Sequence, residues 1–247
     1  MTARIDRLWP DQADDLNDDD LLDDYAFPPH GPWLRMNFVT SLDGAATREG
    51  RSGGLGDDAD RRVFELLRRP AHAVLVAAGT VRTEGYAAMR VDQGASAWRM
   101  DRGLSAHPVF ALVTRSLDLD PASPVFADAP VRPIVYTCER GPAERRAALA
   151  RVADVVACGE DEVDLPAVKA DLAGRGLTRV HSEGGPSLFG AMLAQGAVDE
   201  LCLTLAPTLE SGDGPRIASS GRASPTDMRL VGALRAGDEL LLRYRRR

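Results

Sequence analysis

The residues best suited to chemistry lie in residues 180–193, VHSEGGPSLFGAML, where an apolar run meets a helical pattern. The apolar run ends at Glu183, and the helical pattern begins near Pro186. Gly184 and Gly185 have no side chains, so their backbone N–H groups can approach a ligand closely. Unpaired amides at the start of a helix favour an anion such as phosphate. The same letters also fit a tight strand-to-helix turn, and no GxGxxG motif follows an apolar run in this chain.

Two further segments carry polar groups directly after apolar runs. In GTVRTEGY, Thr80 can cap a new turn or donate to a phosphate, and Glu84 can support the turn or hydrogen-bond a ribose. In VTRSL, Arg115 stands between the hydroxyl groups of Thr114 and Ser116, a combination that suits a phosphomonoester. Each segment alone also fits ordinary capping or a surface turn. Together, at one edge of a sheet, the segments indicate a binding site for a phosphorylated ligand.

A fourth segment, residues 36–56, joins a predicted strand to a glycine-rich loop. The strand runs into Asp43, and the loop contains Ser52 and Gly54. By itself, the SLDG sequence fits a plain turn. A polar, irregular stretch at residues 85–107 is too long for a simple connection, which indicates a functional role.

The elements that must position these residues alternate between strand and helix patterns from residue 33 onwards. This alternation predicts an α/β fold with a mostly parallel central sheet covered by helices on both faces. The last two strands, around the turn at residues 237–238, are expected to form an antiparallel pair. Ligands bind such sheets beyond the carboxyl ends of the strands, where the SEGGPS segment must lie.

Composition and charge narrow the function classes. The net charge of −7 argues against a general nucleic-acid-binding protein, because nothing offsets phosphate repulsion. No apolar run approaches the ~20 residues of a membrane helix, and no signal peptide is recognisable, so we expect a cytoplasmic protein without a membrane partner. The three cysteines are expected to be reduced core thiols, and the four histidines show no metal-ligand spacing.

The first 32 residues differ from the rest of the chain. Residues 11–24 contain eight aspartates, which predicts a solvated and partly disordered acidic arm. Its scattered apolar residues also leave room for a short helix that lies on the body. We therefore divide the chain into an N-terminal arm, residues 1–32, and a second domain, residues 33–247.

Three segments together resemble the pyrimidine reductase family of riboflavin biosynthesis: NFVTSLDGAAT with GRSGGLG, VFELLRRPAHAVLVAAGTVRTEGY, and SEGGPSLFGAMLAQGAVDELCLTLAPTL. The resemblance covers residues 33–245 with the motifs in family order, and it is to the reductase half of the bifunctional deaminase/reductase. The zinc signature of the deaminase half, HxE with PCxxC, does not occur in the sequence. The resemblance implies a dihydrofolate-reductase-like fold, a homodimer, and NADPH-dependent reduction of a ribosylamino-pyrimidine 5′-phosphate to the ribitylamino product.

The resemblance also implies roles for individual residues. Cofactor positions fall on Val39, Gly54, Thr80, Glu84, Gly184, Gly185, Pro186, Ser187 and Leu188, with Thr114, Arg115 and Ser116 at the adenosine 2′-phosphate. Substrate positions fall on Asn37, Ser52, Arg68, Arg90 and Glu183. Of the two acids near the substrate, Glu183 contacts the pyrimidine or ribose or assists proton transfer, and Asp43 either braces its turn or transfers a proton.

Two departures from the family pattern keep the substrate open. Asn37 stands where members often carry Lys, and Gly54 stands where many carry Trp. A wider pocket would admit a larger ring, so reduction of dihydrofolate, a pterin or another small heterocycle is an alternative. A third alternative is a regulator that binds NADPH without catalysis.

Overall fold

The strand patterns assemble into one mixed sheet in the computed structural model, which describes residues 3–221 and 223–247. Within these residues the sheet has ten strands, in the order β1-β9-β10-β8-β2-β7-β3-β4-β5-β6. The strands are β1 (Asp6–Trp9), β2 (Trp33–Thr40), β3 (Ala73–Ala77), β4 (Val109–Val113), β5 (Ile134–Thr137), β6 (Asp154–Ala157), β7 (Arg179–Ser182), β8 (Glu200–Leu205), β9 (Met228–Ala236) and β10 (Glu239–Arg246).

The sheet is parallel from β8 to β6 and antiparallel at its other end. Strand β2 pairs in parallel with β7 and β8, and β3 pairs in parallel with β7 and β4. Strand β10 pairs antiparallel with both β8 and β9, which confirms the predicted C-terminal pair. Strand β1 then pairs with β9 and covers that edge. Because β9 and β10 both have neighbours on each side, this pair is not free to extend the sheet into a second subunit.

The helices follow the strands in the predicted alternation. They are α1 (Asp18–Asp24), α2 (Asp58–Arg68), α3 (Ala78–Glu84), α4 (Gln93–Asp101), α5 (Pro124–Ala127), α6 (Ala143–Leu149), α7 (Leu165–Gly174) and α8 (Pro186–Ala194). The sequence predicts a helix over residues 57–69 that is capped by Asp57 or Asp58. Helix α2 is this helix, and the cap is Asp57, whose carboxylate accepts hydrogen bonds from the amides of Ala59 and Asp60. The stretch at residues 85–107 is less irregular than expected, since it contains α4, which the Asp92 side chain caps.

The helices cover both faces of the sheet. Helices α7 and α8 pack on one face through Leu165, Leu172 and Met192. Helices α1 and α2 cover the other face beside β8 to β10, and α3, α5 and α6 cover it beside β3 to β5. The three cysteines, Cys138, Cys158 and Cys202, are buried and free, as predicted. Across residues 3–221 and 223–247, no helix is both long and apolar enough to span a membrane.

The N-terminal segment packs against the body of the protein. Ile5, Leu21 and Tyr25 are buried in the same cluster as Val63 and Leu67 of α2. The expectation that residues 11–24 are partly disordered is therefore wrong, because Leu16, Leu21 and Leu22 of this segment are buried against the body. The alternative of a short helix on the body is confirmed as α1. The domain boundary at residue 32 stays a prediction.

A buried ion network holds this segment to the sheet. Glu200, at the start of β8, is fully buried and accepts hydrogen bonds from Arg35 of β2 and from Arg243 and Arg245 of β10. Arg35 also donates to the carbonyl oxygen of Tyr25 at 2.6 Å. Burial alone would raise the pKa of Glu200, but the arginines lower it to about 2.

We expect Glu200→Gln to lower the free energy of unfolding by about 3–5 kcal/mol at pH 7, because it leaves buried guanidinium groups without an anion. The folded-state pKa of Glu200 lies below its ordinary 4.5, so this contribution is complete above pH 4.5. It should shrink as the pH falls towards about 2. Urea unfolding of both proteins between pH 7 and pH 3 measures it.

The matched control is Glu160→Gln, a substitution at a side chain that is 79% exposed. It should change the stability by less than about 0.5 kcal/mol. If Glu160→Gln and Glu200→Gln lowered the free energy of unfolding equally, the buried network would contribute no more to stability than an exposed carboxylate does.

Candidate active site

A cavity of about 840 Å³ opens at the carboxyl ends of β2, β3 and β7. Helix α2 forms one wall, and the first turns of α3 and α8 form the other. The predicted site residues that line it are Asn37, Val39, Ser52, Arg68, Thr80, Glu84, Glu183, Gly185, Pro186, Ser187 and Leu188. Residues more than a hundred positions apart in the chain are thus brought to one site.

Glu183 forms the centre of the polar part of this cavity. Both of its carboxylate oxygens accept hydrogen bonds from Arg68, at 2.5 Å from Nε and 2.7 Å from Nη2. The hydroxyl group of Tyr86 donates to Oε2 at 2.8 Å. The two-point geometry suits a planar guanidinium, which a lysine could not reproduce. The carboxylate is therefore held in one orientation from two sides.

Electrostatics favour the ionised form of this carboxylate. Burial would raise the pKa of Glu183, but the charge and hydrogen bonds of Arg68 hold it below its usual range. Burial alone would lower the pKa of Arg68, but the charge and hydrogen bonds of Glu183 outweigh burial and raise it. Burial and the nearby carboxylate raise the pKa of Tyr86. At neutral pH the group thus consists of an anion, a cation and a protonated phenol.

His181 lies behind this group, with Nε2 at 3.7 Å from Oε1 of Glu183. The imidazole is fully buried, and burial lowers its pKa to about 3. It is therefore neutral at physiological pH and adds no charge to the site.

The glycine pair lets the side chains of Phe38 and Thr80 pack directly against the backbone at the start of α8. Gly184 has a φ of +88°, and a Cβ atom there would lie 2.7 Å from Cζ of Phe38. A Cβ atom on Gly185 would lie 2.3 Å from Oγ1 of Thr80. Gly185 also precedes the first turn of α8, where no side chain caps the helix. Pro186 has no N–H group, so the amides of Ser187 and Leu188 are the ones in that turn that are available to a ligand.

The start of α3 lies beside the start of α8. No side chain caps α3 at Ala77, and Thr80 in its first turn faces Gly185. At the other end of α3, Oε1 of Glu84 accepts a hydrogen bond from the amide of Ser52 at 3.0 Å. Glu84 thus fixes the glycine-rich loop over the cavity.

Several predicted residues lie outside the lining. Gly184 sits behind it, and the carbonyl oxygen of Gly54 accepts from Arg48. Arg90 is exposed and donates to the carbonyl oxygen of Asp128 at 2.6 Å, so its position gives no support for substrate binding. Asp43 accepts from the Ser41 hydroxyl and from the amides of residues 210 and 211, which lower its pKa to about 2. Its placement favours the bracing interpretation over proton transfer.

The segment at residues 114–116 follows β4, the neighbour of β3 in the sheet. It does not line the cavity but lies at the next strand end. The hydroxyl of Thr114 accepts from the amide of Leu117 at 3.0 Å. Arg115 is exposed, and no other residue in the described part of the chain hydrogen-bonds to its side chain. The strand ends of β7, β3 and β4 therefore stand in a row, each with polar groups.

Comparison with known proteins identifies the family. The family model described as the RibD C-terminal domain matches residues 32–242. The chain belongs to this family. A RibD-family relative, the 2,5-diamino-6-ribosylamino-4(3H)-pyrimidinone 5′-phosphate reductase of Methanothermobacter thermautotrophicus, is 31% identical over 220 residues, which cover 86% of this chain and 97% of that protein. The corresponding reductase of Archaeoglobus fulgidus is 26% identical, over 79% of this chain and 85% of that one.

A solved structure agrees with the family assignment. The crystal structure of a pyrimidine reductase-like protein from Corynebacterium diphtheriae superposes with a TM-score of 0.79 at 30% identity, over 87% of this chain and 92% of that one. The riboflavin biosynthesis reductase of Saccharomyces cerevisiae shares the fold, with a TM-score of 0.66 at 15% identity over 92% of this chain and 97% of that one. The residues that match the family model run from β2 into β10, so the match includes the strands that carry the cavity.

Phe38, Asp60, Phe64 and Tyr86 are among the cavity residues that reasoning from the sequence missed. Tyr86 closes the GTVRTEGY segment, so a search for phenols near Glu84 could have found it. Phe64 lies four residues before Arg68, and its ring stacks against the Arg68 guanidinium. The Cζ atom of Arg68 lies 4.5 Å from the centre of the Phe64 ring. Nothing in the local pattern distinguishes Asp60 from a solvated helix residue.

We expect Gly185→Ala to destabilise the protein by about 1–3 kcal/mol, because the new Cβ would overlap the Thr80 hydroxyl. Thr80→Ala removes that hydroxyl, and the remaining Cβ contact of 3.7 Å is ordinary packing. The penalty of Gly185→Ala should therefore be much smaller in a Thr80→Ala background. Urea unfolding of the four proteins in this double-mutant cycle measures the coupling.

The matched control is Gly79→Ala, because a Cβ atom there meets nothing within 4 Å. It should leave the stability unchanged or raise it by up to about 1 kcal/mol. An unchanged penalty of Gly185→Ala in the Thr80→Ala background would contradict the close approach of these two segments.

Proposed function

We propose that the protein is an NADPH-dependent reductase that converts a ribosylamino-pyrimidine 5′-phosphate into its ribitylamino product in riboflavin biosynthesis. The observation that carries the proposal is the pairing of Arg68 and Glu183 opposite the uncapped start of α8 in one cavity. Membership of the RibD family and the reductase activity for which the relatives are named support it.

The residues present fit a dinucleotide phosphate. Two helix starts without side-chain caps, α3 and α8, offer backbone amides to a diphosphate, and Gly185 leaves the space that a Cβ atom would fill. Thr114, Arg115 and Ser116, one strand further along, would hold a 2′-phosphate and so favour NADPH over NADH. When bound, a nicotinamide cofactor supplies the hydride.

The proposed reaction balances with one hydride and one proton. The hydride adds to C1′ of the substrate, the bond between C1′ and O4′ breaks, and O4′ takes up the proton as the ribose opens. No metal or covalent nucleophile is needed, because positioning of the two reacting carbons provides most of the effect.

The cavity residues have distinct tasks in this proposal. Arg68 uses two nitrogens on Glu183, which leaves Nη1 for the substrate phosphate. The pKa of Glu183 is lowered, so the side chain is ionised at neutral pH. It therefore orients Arg68 and accepts a hydrogen bond from a substrate hydroxyl group, and it does not donate the proton to O4′. Asn37 adds a neutral amide where the family pattern often has Lys, which leaves Arg68 and the more exposed Arg61 as the positive charges that line the cavity.

The alternatives differ in what they reduce. Purified protein with NADPH should oxidise the cofactor when 5-amino-6-ribosylamino-uracil phosphate or its 2,5-diamino counterpart is added, and not when dihydrofolate is added. Turnover of dihydrofolate alone would indicate a pterin-type reductase. Binding of NADPH without single-turnover hydride transfer to any of the three would indicate a regulator.

A cytoplasmic homodimer completes the proposal. The cytoplasm holds both a phosphorylated intermediate and a pool of NADPH, and the family resemblance implies the dimer. Light scattering coupled to gel filtration would report the mass, and a monomer would remove the dimer from the proposal without affecting the chemistry.

We expect Arg115→Ala to raise KM for NADPH about 10- to 100-fold, because a charge-assisted hydrogen bond to the 2′-phosphate is lost. The KM for NADH, which lacks that phosphate, should change less than threefold. Initial rates with both cofactors measure the effect, and Arg102→Ala, at an exposed side chain directly after α4, serves as the control. Equal losses with NADH and NADPH would contradict a 2′-phosphate site at Arg115.

A further inference from the structure

We propose that Asp60 recognises a 2-amino group on the pyrimidine, so that this reductase prefers the 2,5-diamino-pyrimidinone over the corresponding uracil. The inference rests on the proposed function and specifies the substrate class of that same cavity.

Asp60 lies on the wall of the cavity that α2 provides. Asp60, Phe64 and Arg68 all line the cavity and follow each other at intervals of four residues, so they share one side of the helix. Eight residues of helix separate Asp60 from Arg68 by about 12 Å. With its phosphate at Arg68, a substrate that lies along this wall would place its pyrimidine beside Asp60.

The other acids on this cavity are already engaged or exposed. Both oxygens of Glu183 are bound to Arg68, and Glu84 accepts from the Ser52 amide. Asp57 caps α2, and Glu65 is exposed to solvent. Asp60 is the remaining carboxylate on the cavity, and it neither caps a helix nor forms an ion pair in the described part of the chain.

The surroundings of Asp60 leave hydrogen-bonding capacity for a ligand. Among the groups that shift the pKa of Asp60, the Thr204 side chain is the one that forms a hydrogen bond with the Asp60 carboxylate. Asp60 forms no ion pair in the described part of the chain, since the neighbouring Arg61 pairs with Asp58. Burial raises its pKa, so a ligand that donates hydrogen bonds would relieve a desolvated carboxylate. The floor beside it is formed by Asn37 and Val39, whose neighbours on β8 are Cys202 and Thr204.

The two pyrimidines differ at the edge that a carboxylate would meet. In the 2,5-diamino-4(3H)-pyrimidinone, N3–H and the 2-amino group are adjacent donors, so both carboxylate oxygens accept one hydrogen bond each. In the uracil, N3–H lies between two carbonyl oxygens, so the second carboxylate oxygen would face an acceptor. A matched two-point pair of this kind discriminates between bases by about ten- to a hundredfold or more.

The test compares kcat/KM for the two phosphorylated pyrimidines in the full-length protein with saturating NADPH. The wild type should prefer the 2,5-diamino substrate by about ten- to a hundredfold. Asp60→Asn should lower kcat/KM for that substrate by about tenfold or more and leave the uracil unchanged or improved, because an amide can donate to a carbonyl. The KM for NADPH should not change.

Asp58→Asn is the matched control, because Asp58 is exposed in the same helical turn and does not line the cavity. It should leave the ratio between the two substrates unchanged. A merely structural role of Asp60 would lower both values of kcat/KM equally, so the ratio separates the two explanations. If Asp60→Asn does not fold, Asp60→Ala gives the same comparison, and it should lower kcat/KM for the 2,5-diamino substrate more than for the uracil.

Equal efficiency of the wild type on both pyrimidines, or a preference for the uracil, would overturn the role of Asp60 and leave the proposed function intact. An Asp60→Asn protein that keeps the wild-type ratio would do the same. Reduction of neither pyrimidine would overturn both.

Discussion

The ion pair between Arg68 and Glu183 joins the end of α2 to the end of β7, and the geometry of the cavity depends on it. A buried carboxylate is costly unless it is paired and hydrogen-bonded on each oxygen. Arg68 satisfies both oxygens, and Tyr86 adds a second donor to one of them. The pair therefore fixes helix and strand against each other, and it also places a guanidinium nitrogen on the cavity side. The same contact serves packing and chemistry.

A second buried carboxylate, Glu200, shows the structural counterpart of this arrangement. Three arginines surround it at the centre of the sheet, away from the cavity, and two of them also bind carbonyl oxygens of the N-terminal segment. None of these four side chains lines the cavity, whereas Arg68 and Glu183 both do. The difference in access separates a group that holds the fold together from one that is able to meet a substrate.

The sequence predicts much of the fold and part of the site. The alternation of patterns predicts the parallel sheet, the capped start of α2 and the position of the SEGGPS loop at a strand end, because these features depend on local residue types. The packing of residues 3–32 and the partner of Glu183 depend on contacts between distant residues, which no local pattern encodes. Asp60 shows the same limit, since its helix repeats acids on both its exposed and its cavity side. Asp43 and Arg90 show the reverse: motif position suggested roles that their contacts do not support.

The most direct test of this account is a double-mutant cycle on kcat/KM for NADPH-dependent reduction of the pyrimidine, with Arg68→Gln, Glu183→Gln and the double variant. If the two side chains act as one unit, each single substitution should cost about a hundredfold and the double variant little more than either single one. Losses that multiply in the double variant would show that Arg68 and Glu183 act separately, and this result would contradict the central role of their pairing.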